Sequence, residues 1–259
     1  FISSFFGVIA DVIHVFILVR FLDQSQVGIF FVSYAFLYLF AQIPRGFGIA
    51  IRKRASEINN GRSKYLWCGF ILIIPSLAIV YSTLWLESPI FNQYSTVDIS
   101  RKVLVSLFFA TTGFSTLEFA RYYMAGCGYP GLVEKLRTTI AKTSMPVITV
   151  IFLHLESTVY SALIAVFISY FTTSIIIFWK SPHELNTPNK EVIIDILKFS
   201  KWSLLTSLLN DFYHRWDTIL LGVMVSSAAV SYYDSSIRIA FLSVTLAVGI
   251  SKTSNVKMS

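Results

Sequence analysis

Charged residues are scarce in this sequence. Only 14% of its 259 residues are Asp, Glu, Lys or Arg, whereas a soluble domain carries about 25%. Apolar residues make up 55% of the chain, aromatic residues make up 16%, and the mean hydropathy is +0.67. This composition excludes an ordinary soluble domain and indicates an all-α integral membrane protein with several spans.

Cysteine is scarce too, and recognisable catalytic motifs are missing. Cys68 and Cys127 are the only two cysteines, and they lie in or beside apolar runs without metal-ligand spacing. We therefore expect two small core side chains and no disulfide. The sequence has no P-loop, no HExxH motif and no cluster of metal ligands. We expect no cofactor, no bound metal and no enzymatic activity.

Acidic residues are fewer than basic ones, 14 against 21, which gives a net charge of +7. The basic residues fall mainly in three polar stretches, residues 52–64, 121–142 and 180–201. Membrane topology explains this pattern, so we expect no nucleic-acid partner. The positive-inside rule places residue 1, these stretches and residue 259 on the cytoplasmic side of the cell membrane. The opposite side carries only three cations: Arg20, Arg101 and Lys102.

Apolar runs of about 20 residues predict transmembrane helices, and the chain has about eight of them. The fifth is the shortest and the seventh is the most polar. They lie near residues 1–20, 28–51, 65–86, 101–124, 138–155, 158–179, 200–224 and 231–251.

The spacing of these segments predicts three parts. Residues 1–180 form a first lobe of six helices, and residues 181–200 form a cytoplasmic linker with a short amphipathic helix at 191–199. Residues 201–259 begin a second lobe, because residues 1–56 align without gaps on residues 204–259 and their polar positions coincide. The chain lacks an initiator Met and opens inside an apolar run, so we expect a fragment of a longer protein.

The seventh segment contains four charged or titratable residues within seven positions. Each charge near the bilayer centre costs about 2.5–3.5 kcal/mol, so these groups are expected to face protein or water. Asp211 and Arg215 have the i, i+4 spacing that permits an ion pair within the helix. They flank a polar stripe of six residues: Ser203, Ser207, Asn210, His214, Asp217 and Thr218.

Other segments carry similar stripes. Arg45 in the second segment has no acid at i±3 or i±4, so we interpret it as a partnerless cation that indicates a cavity or an anionic ligand. Asp234 and Arg238 in the eighth segment are spaced for an ion pair. Both His14 and His214 also suit buried, neutral, hydrogen-bonded roles. The remaining stripes are Ser4, Gly7, Asp11 and His14; Tyr34, Tyr38, Gln42 and Arg45; and Thr111, Ser115, Glu118 and Tyr122.

Two stretches carry a family resemblance. They are VGIFFVSYAFLYLFAQIPRGFGIAIRKRASE, residues 27–57, and the run from LKFSKWSLL to SSIRIA, residues 197–240. They resemble the polysaccharide-biosynthesis flippases of the multidrug/oligosaccharidyl-lipid/polysaccharide exporter superfamily. The resemblance implies two six-helix lobes around a central cavity, with portals lined by the first, second, seventh and eighth helices. It also implies translocation of lipid-linked oligosaccharide by alternating access.

The implied substrate is a polyprenyl-(pyro)phosphate that carries a glycan, with membrane lipids and other polysaccharide assembly proteins as partners. An anionic phosphate needs cations in a low-dielectric wall. A multidrug exporter of the same superfamily and a membrane-embedded glycosyl- or acyltransferase are the alternatives. The assigned roles are phosphate binding by Arg45, Arg215 and Arg238; glycan binding by Tyr34, Tyr38, Gln42, Asn210 and His214; and ion coupling by Asp11, Asp211 and Asp217.

Overall fold

The chain folds into helices joined by short connections. The computed structural model describes the backbone of residues 2–58, 63–94, 100–181 and 188–256, and the side chains of residues 6–58, 63–79, 81–82, 100–181 and 188–241. Within these residues there is no β-strand. The helices are α1 (Ile2–Phe21), α2 (Gln24–Glu57), α3 (Ser63–Tyr94), α4 (Arg101–Gly126), α5 (Pro130–Leu136), α6 (Lys142–Leu155), α7 (Val159–Trp179), α8 (Lys190–Met224) and α9 (Ser227–Val256).

Helices α5 and α6 form one continuous rod, because the π-helical segment Arg137–Ala141 joins them without a break. The described chain therefore has eight helical rods, as the sequence predicts. By their described residues, four rods are long and apolar enough to cross a membrane: α2, α4, the α5–α6 rod and α7. The predicted all-α membrane architecture is confirmed.

The boundaries of two helices differ from the sequence prediction. Residues 191–199, expected to form a separate amphipathic helix, are the first turns of α8, which Asn189 caps by accepting a hydrogen bond from the Val192 amide at 3.2 Å. The α5–α6 rod begins at Pro130, well before the predicted start of the fifth segment at residue 138, so Lys135 and Arg137 lie within it and not in a loop. The Arg137 side chain pairs with Glu134 of the same rod at 2.6 Å and reaches Glu118 of α4 at 3.8 Å.

Helix α2 lies at the centre of the bundle and packs against α3, α4, α8 and α9. It runs antiparallel to α8 along most of its length. The Arg54 guanidinium meets Asp195 at one end of this contact at 2.6 Å, and Gly28 meets Ser227 just beyond its other end. Lipid provides no hydrophobic driving force between helices, so their association depends on close packing.

The Gly-x-Gly pair of α2 explains how closely this helix approaches its neighbours. A Cβ on Gly46 would lie 2.8 Å from the Cβ of Leu204 in α8, and a Cβ on Gly48 would lie 2.7 Å from the Tyr122 ring in α4. Larger residues at these positions would separate the helices. The glycines therefore allow α8 and α4 to approach α2 closely on two different sides. Polar side chains of α2 can then contact those of α8 and of α4.

Candidate functional site

A cavity of about 250 Å³ lies between α1, α2, α8 and α9. These are the four helices that the family resemblance assigns to the portals. The cavity brings together five of the residues predicted from the sequence. Its lining consists of Val8, Asp11, Tyr34, Tyr38, Arg215, Asp234, Ile237, Arg238 and Phe241.

Arg238 lies deep in the cavity wall and is paired with an acid. Its Nε donates to the Asp234 carboxylate at 2.7 Å, so the ion pair expected from the i, i+4 spacing is confirmed. Its guanidinium also lies 4.9 Å from the centroid of the Phe31 ring and 5.2 Å from that of Tyr34. Thr218 of α8 donates a hydrogen bond to the same carboxylate at 3.4 Å. Arg238 therefore offers the cavity a partly neutralised charge.

Arg215 has a different environment. Its guanidinium lies over the Tyr38 ring, 4.5 Å from the centroid, and the expected pair with Asp211 is not formed. No carboxylate is in ion-pair contact with Arg215 among the residues that the structure describes. A cation held by an aromatic face keeps its N–H donors available for a ligand. Arg215 is therefore the cavity cation best suited to an incoming anion.

Asp211 contacts α2 instead of Arg215. The Arg45 Nη1 lies 3.9 Å from the Asp211 carboxylate, and the Gln42 amide also donates to this carboxylate. The Arg45 Nε donates to the Tyr122 hydroxyl at 3.0 Å. The interpretation of Arg45 as a partnerless cation is therefore wrong. The acid that contacts Arg45 lies on another helix, so it is not among the residues three or four positions away in the sequence.

Asp11 on the cavity wall is paired with a lysine of the fifth predicted segment, which was not predicted as a site residue. The Lys142 Nζ lies 2.5 Å from the Asp11 carboxylate. Gly7, one turn earlier in α1, leaves room for the lysine stem, since a Cβ there would lie 2.9 Å from the Lys142 Cδ. Lys142 directly follows the π-helical segment, and such segments alter the direction of the following side chains. The sequence did not reveal this cation as part of the site, because its acid partner lies on a helix that is distant in the sequence.

Tyrosine hydroxyls link the cavity to α7. The Tyr34 hydroxyl lies 2.8 Å from that of Tyr170 and 3.5 Å from that of Tyr38. The sixth predicted segment, which corresponds to α7, carries none of the predicted polar stripes, so Tyr170 was missed as a member of the site. His14 is buried beside this group, with its Nε2 3.1 Å from the Thr149 hydroxyl. His14 has the buried, hydrogen-bonded role considered for it.

Four predicted residues of α8 lie outside the cavity: Asp211, which contacts α2, and three residues on another side of the helix. Asn210, His214 and Asp217 are exposed, and Asp217 accepts a hydrogen bond from the Tyr233 hydroxyl. The predicted polar face of α8 is rotated by about one residue from the face that packs on α2, which equals about 100°. The packed face instead carries Ser200, Leu204, Asp211, Arg215, Thr218 and Gly222.

A second group of charges joins α4 to α5 and the π-helical segment. Arg121 pairs with Glu118 at 2.7 Å, and Arg137 pairs with Glu134 at 2.6 Å. Longer contacts of 3.8 and 3.9 Å connect the two pairs. Two acids and two bases neutralise one another here, so this group is suited to holding helices together. No cluster of metal ligands occurs among the described residues.

Comparison with known proteins identifies the family. A family model described as "Polysaccharide biosynthesis protein" matches residues 17–253. The chain is 24% identical over 260 residues to the "Probable low-salt glycan biosynthesis flippase Agl15" of Haloferax volcanii, an alignment that covers 98% of this chain and 52% of that protein. The chain thus spans about half the length of this curated relative. No solved structure matches it significantly. The resemblance inferred from the sequence is confirmed, and the chain belongs to the polysaccharide biosynthesis protein family.

Proposed function

We propose that the protein containing this chain is a flippase that moves a polyprenyl-(pyro)phosphate-linked glycan across the cell membrane. The relative named as a glycan biosynthesis flippase supports this function. The observation that carries the proposal is Arg215, a cavity cation that contacts an aromatic ring and has no acid partner among the described residues. Its charge requires a counter-ion in a low-dielectric wall, and a substrate phosphate supplies one.

The charges around the cavity favour an anionic ligand. Arg215, Arg238 and Lys142 contribute three positive charges, whereas Asp11 and Asp234 contribute two negative ones. A volume of about 250 Å³ is slightly below the range for pockets that hold a drug-sized molecule, about 300–1,000 Å³. This cavity accommodates the phosphate and the first sugar of the substrate, while the polyprenyl tail stays in lipid.

Hydroxyl and amide groups near the phosphate position suit a sugar. The Tyr34 and Tyr38 hydroxyls lie on the cavity wall, and Gln42 lies one helical turn further along α2. Asn210 and His214, which are exposed on α8, contact the glycan only in a conformation that covers that face. Arg45 does not bind the phosphate directly in this proposal, because its guanidinium already pairs with the Asp211 carboxylate.

Transport proceeds by alternating access between two related lobes in this proposal. The first lobe comprises residues 1–180 and the second lobe begins with α8, with residue 1 on the cytoplasmic side. The linker predicted over residues 181–200 then includes the first turns of α8. Among the three candidate carboxylates for ion coupling, Asp11 and Asp211 each have a cationic partner. Asp217 has a tyrosine partner instead, so it is the first candidate. The protein acts as a transporter and not as an enzyme, with membrane lipids and other polysaccharide assembly proteins as partners.

The test uses cells that lack the full-length gene and are complemented with variants. Polyprenyl-linked sugars and surface polysaccharide are both quantified. We expect the deletion to accumulate the lipid-linked sugar and to lose surface polysaccharide. Arg215→Ala should lower restored export about tenfold or more, because a hydrogen-bonded charge contributes about 1.5–3 kcal/mol. Arg215→Lys should retain part of the activity, since it keeps the charge but not the planar fork.

Lys201→Ala is the matched control, because it removes an exposed cation from the same helix. It should restore export at the wild-type level. Unchanged lipid-linked sugars in the deletion strain would remove the flippase function and favour a multidrug exporter. Complete absence of the lipid-linked sugar would indicate an enzyme that acts upstream. Wild-type export by Arg215→Ala would exclude Arg215 as the phosphate ligand while leaving the transport function intact.

A further inference from the structure

Three tyrosine hydroxyls form a row that begins inside the bundle and ends at the cavity between α1, α2, α8 and α9. Tyr170 on α7 is buried and does not line the cavity. Its hydroxyl oxygen lies 2.8 Å from that of Tyr34 on α2, which lies 3.5 Å from that of Tyr38, one turn further along α2. Tyr34 and Tyr38 both line the cavity. This tyrosine row therefore connects a buried hydroxyl to the place where a ligand binds.

The direction of the first hydrogen bond follows from the burial of Tyr170. A tyrosine hydroxyl has one proton to donate, and a buried proton that finds no acceptor destabilises the protein. Among the described residues, the Tyr170 hydroxyl has one hydrogen-bond partner, the Tyr34 hydroxyl. Tyr170 therefore donates to Tyr34, because the opposite direction would leave the Tyr170 proton buried without an acceptor.

The protons of the other two hydroxyls are then directed away from α7. Tyr34 accepts from Tyr170, so its own proton points to the Tyr38 hydroxyl, its other hydroxyl neighbour. Three protons serve two contacts, and the proton of Tyr38 is the one left over at the cavity. The two carboxylates that line the cavity each pair with a cation. The tyrosine row therefore offers one O–H donor to a ligand.

Contacts on the Tyr38 ring fix the position of this donor. The Phe114 ring of α4 meets it edge-on, with the two centroids 4.9 Å apart. The Arg215 guanidinium of α8 lies 4.5 Å from the Tyr38 centroid, and both residues line the cavity. The N–H donors of Arg215 and the O–H donor of Tyr38 therefore reach the same space. Neighbouring donors of this kind suit a phosphate, whose oxygens accept several hydrogen bonds at once.

We propose that Tyr38 donates its hydroxyl proton to the substrate phosphate beside Arg215, and that Tyr170 is a positioning residue that orients this proton through Tyr34. The inference rests on the proposed function and refines it, because it transfers Tyr38 from the glycan-binding groups to the phosphate-binding groups. It also gives α7, which lies behind the cavity wall, a role in substrate recognition.

The first test measures binding of farnesyl diphosphate to the purified full-length protein by isothermal titration calorimetry. This probe has a prenyl diphosphate and no sugar, so a group that contacts only the glycan does not affect its binding. Tyr38→Phe keeps the ring beside Arg215 and removes only the hydroxyl. We expect about tenfold weaker binding, because hydrogen bonds to charged groups are strong. Tyr81→Phe is the matched control and should bind normally, since its buried hydroxyl contacts Thr111 at 2.6 Å outside the cavity.

The second test separates positioning from stability. Tyr170→Phe removes the first donor of the row and should weaken binding about threefold, since the hydrogen bonds of a chain strengthen one another. Adding Tyr170→Phe to Tyr38→Phe should cause no further loss of affinity, because the oriented proton is then already absent. A merely structural role of Tyr170 would instead weaken binding equally in both backgrounds, and that result would overturn the positioning role.

The outcomes distinguish this inference from the proposed function. Unchanged binding of farnesyl diphosphate by Tyr38→Phe, together with weaker binding by Arg215→Ala, would overturn the role of Tyr38 and leave Arg215 as the phosphate ligand. Absence of binding by the wild-type protein would overturn both roles. The unfolding temperature of each variant is measured alongside. Tyr81→Phe, which also loses a buried hydroxyl, should be destabilised without loss of affinity, so a loss of affinity in Tyr38→Phe does not come from lower stability alone.

Discussion

Ion pairs determine which charges of this chain are available to a ligand. Three of the cations near the cavity have acid partners. Arg45 with Asp211 and Lys142 with Asp11 are pairs between helices, whereas Arg238 with Asp234 is a pair within α9. A buried charge without a partner costs several kcal/mol, so pairing is the usual condition. Arg215, which contacts an aromatic ring, is the exception among these four residues.

The pair between Arg45 and Asp211 predicts a coupled effect on stability. Arg45→Ala leaves the Asp211 carboxylate, which is 13% exposed, without its cation. We expect a lower unfolding temperature for Arg45→Ala and for Asp211→Asn, and a double variant less destabilised than the sum of the two. The coupling should be on the order of 1 kcal/mol. Thermal unfolding in detergent measures it, with Arg20→Ala as an exposed control. Strictly additive effects would mean that the two side chains do not interact.

The pair between Asp11 and Lys142 predicts rescue by charge exchange. Asp11→Lys places two cations together and Lys142→Asp places two carboxylates together, so each single variant should unfold at a lower temperature. The double exchange restores opposite charges between α1 and α6 and should recover most of the loss. The unfolding midpoints of all four proteins provide the measurement. A double variant no more stable than either single variant would contradict this pairing.

At the level of helices, the position of α8 against α2 depends on small residues. Packing contacts occur at Gly46 and Leu204 near one end, and at Gly28 and Ser227, the first residue of α9, near the other. Between them, Gln42 meets Asp211 and Tyr38 meets Arg215. This antiparallel contact fixes the register of α8, and the register decides which of its polar side chains reach the cavity.

Gly28 provides a direct test of this packing. A Cβ at this position would collide with the carbonyl oxygen of Ser227, which belongs to the backbone and has no alternative rotamer. Gly28→Ala should therefore lower the unfolding temperature and reduce export. Gly131→Ala is the matched control, because a Cβ there meets no atom within 4 Å. The control should be neutral or slightly stabilising, since Ala favours a helix over Gly by about 1 kcal/mol. Equal effects of the two substitutions would mean that α2 and α9 are not in close contact.

The position of helix α8 could be predicted from the sequence, but the face that packs on α2 could not. The apolar run predicted the position of the helix correctly. The prediction that its polar residues face inward, however, gave a packed face that is rotated by about one residue from the observed one. The inside carries small and paired residues such as Ser200 and Asp211, while Phe212 and Trp216 are each 42% exposed alongside polar His214. In lipid, polarity alone does not determine which face is packed. The partners of Arg45 and Lys142 lie on other helices, so no local spacing revealed them.

At the scale of the whole molecule, the helix boundaries support the predicted repeat. Helix α1 ends at Phe21 and α8 ends at Met224, while α2 begins at Gln24 and α9 begins at Ser227. Both pairs of positions are separated by 203 residues, which is the offset of the ungapped alignment. The connections also have the same length. The cavity lies between these two helix pairs, so relative movement of the pairs would change access to it.

The contact between the starts of α2 and α9 allows this movement to be tested. The Ser25 and Ser227 hydroxyl oxygens lie 2.8 Å apart, and a disulfide between cysteines there needs a sulfur separation of about 2.05 Å. In Ser25→Cys with Ser227→Cys, oxidation should link α2 to α9 and hold this end of the cavity closed. We expect export, assayed in reconstituted vesicles, to stop on oxidation and to recover on reduction. Each single-cysteine variant should be insensitive to oxidant, because Cys68 and Cys127 are buried. Full export by the cross-linked protein would show that the two helix ends stay together throughout transport, and the opening would then have to occur elsewhere in the bundle.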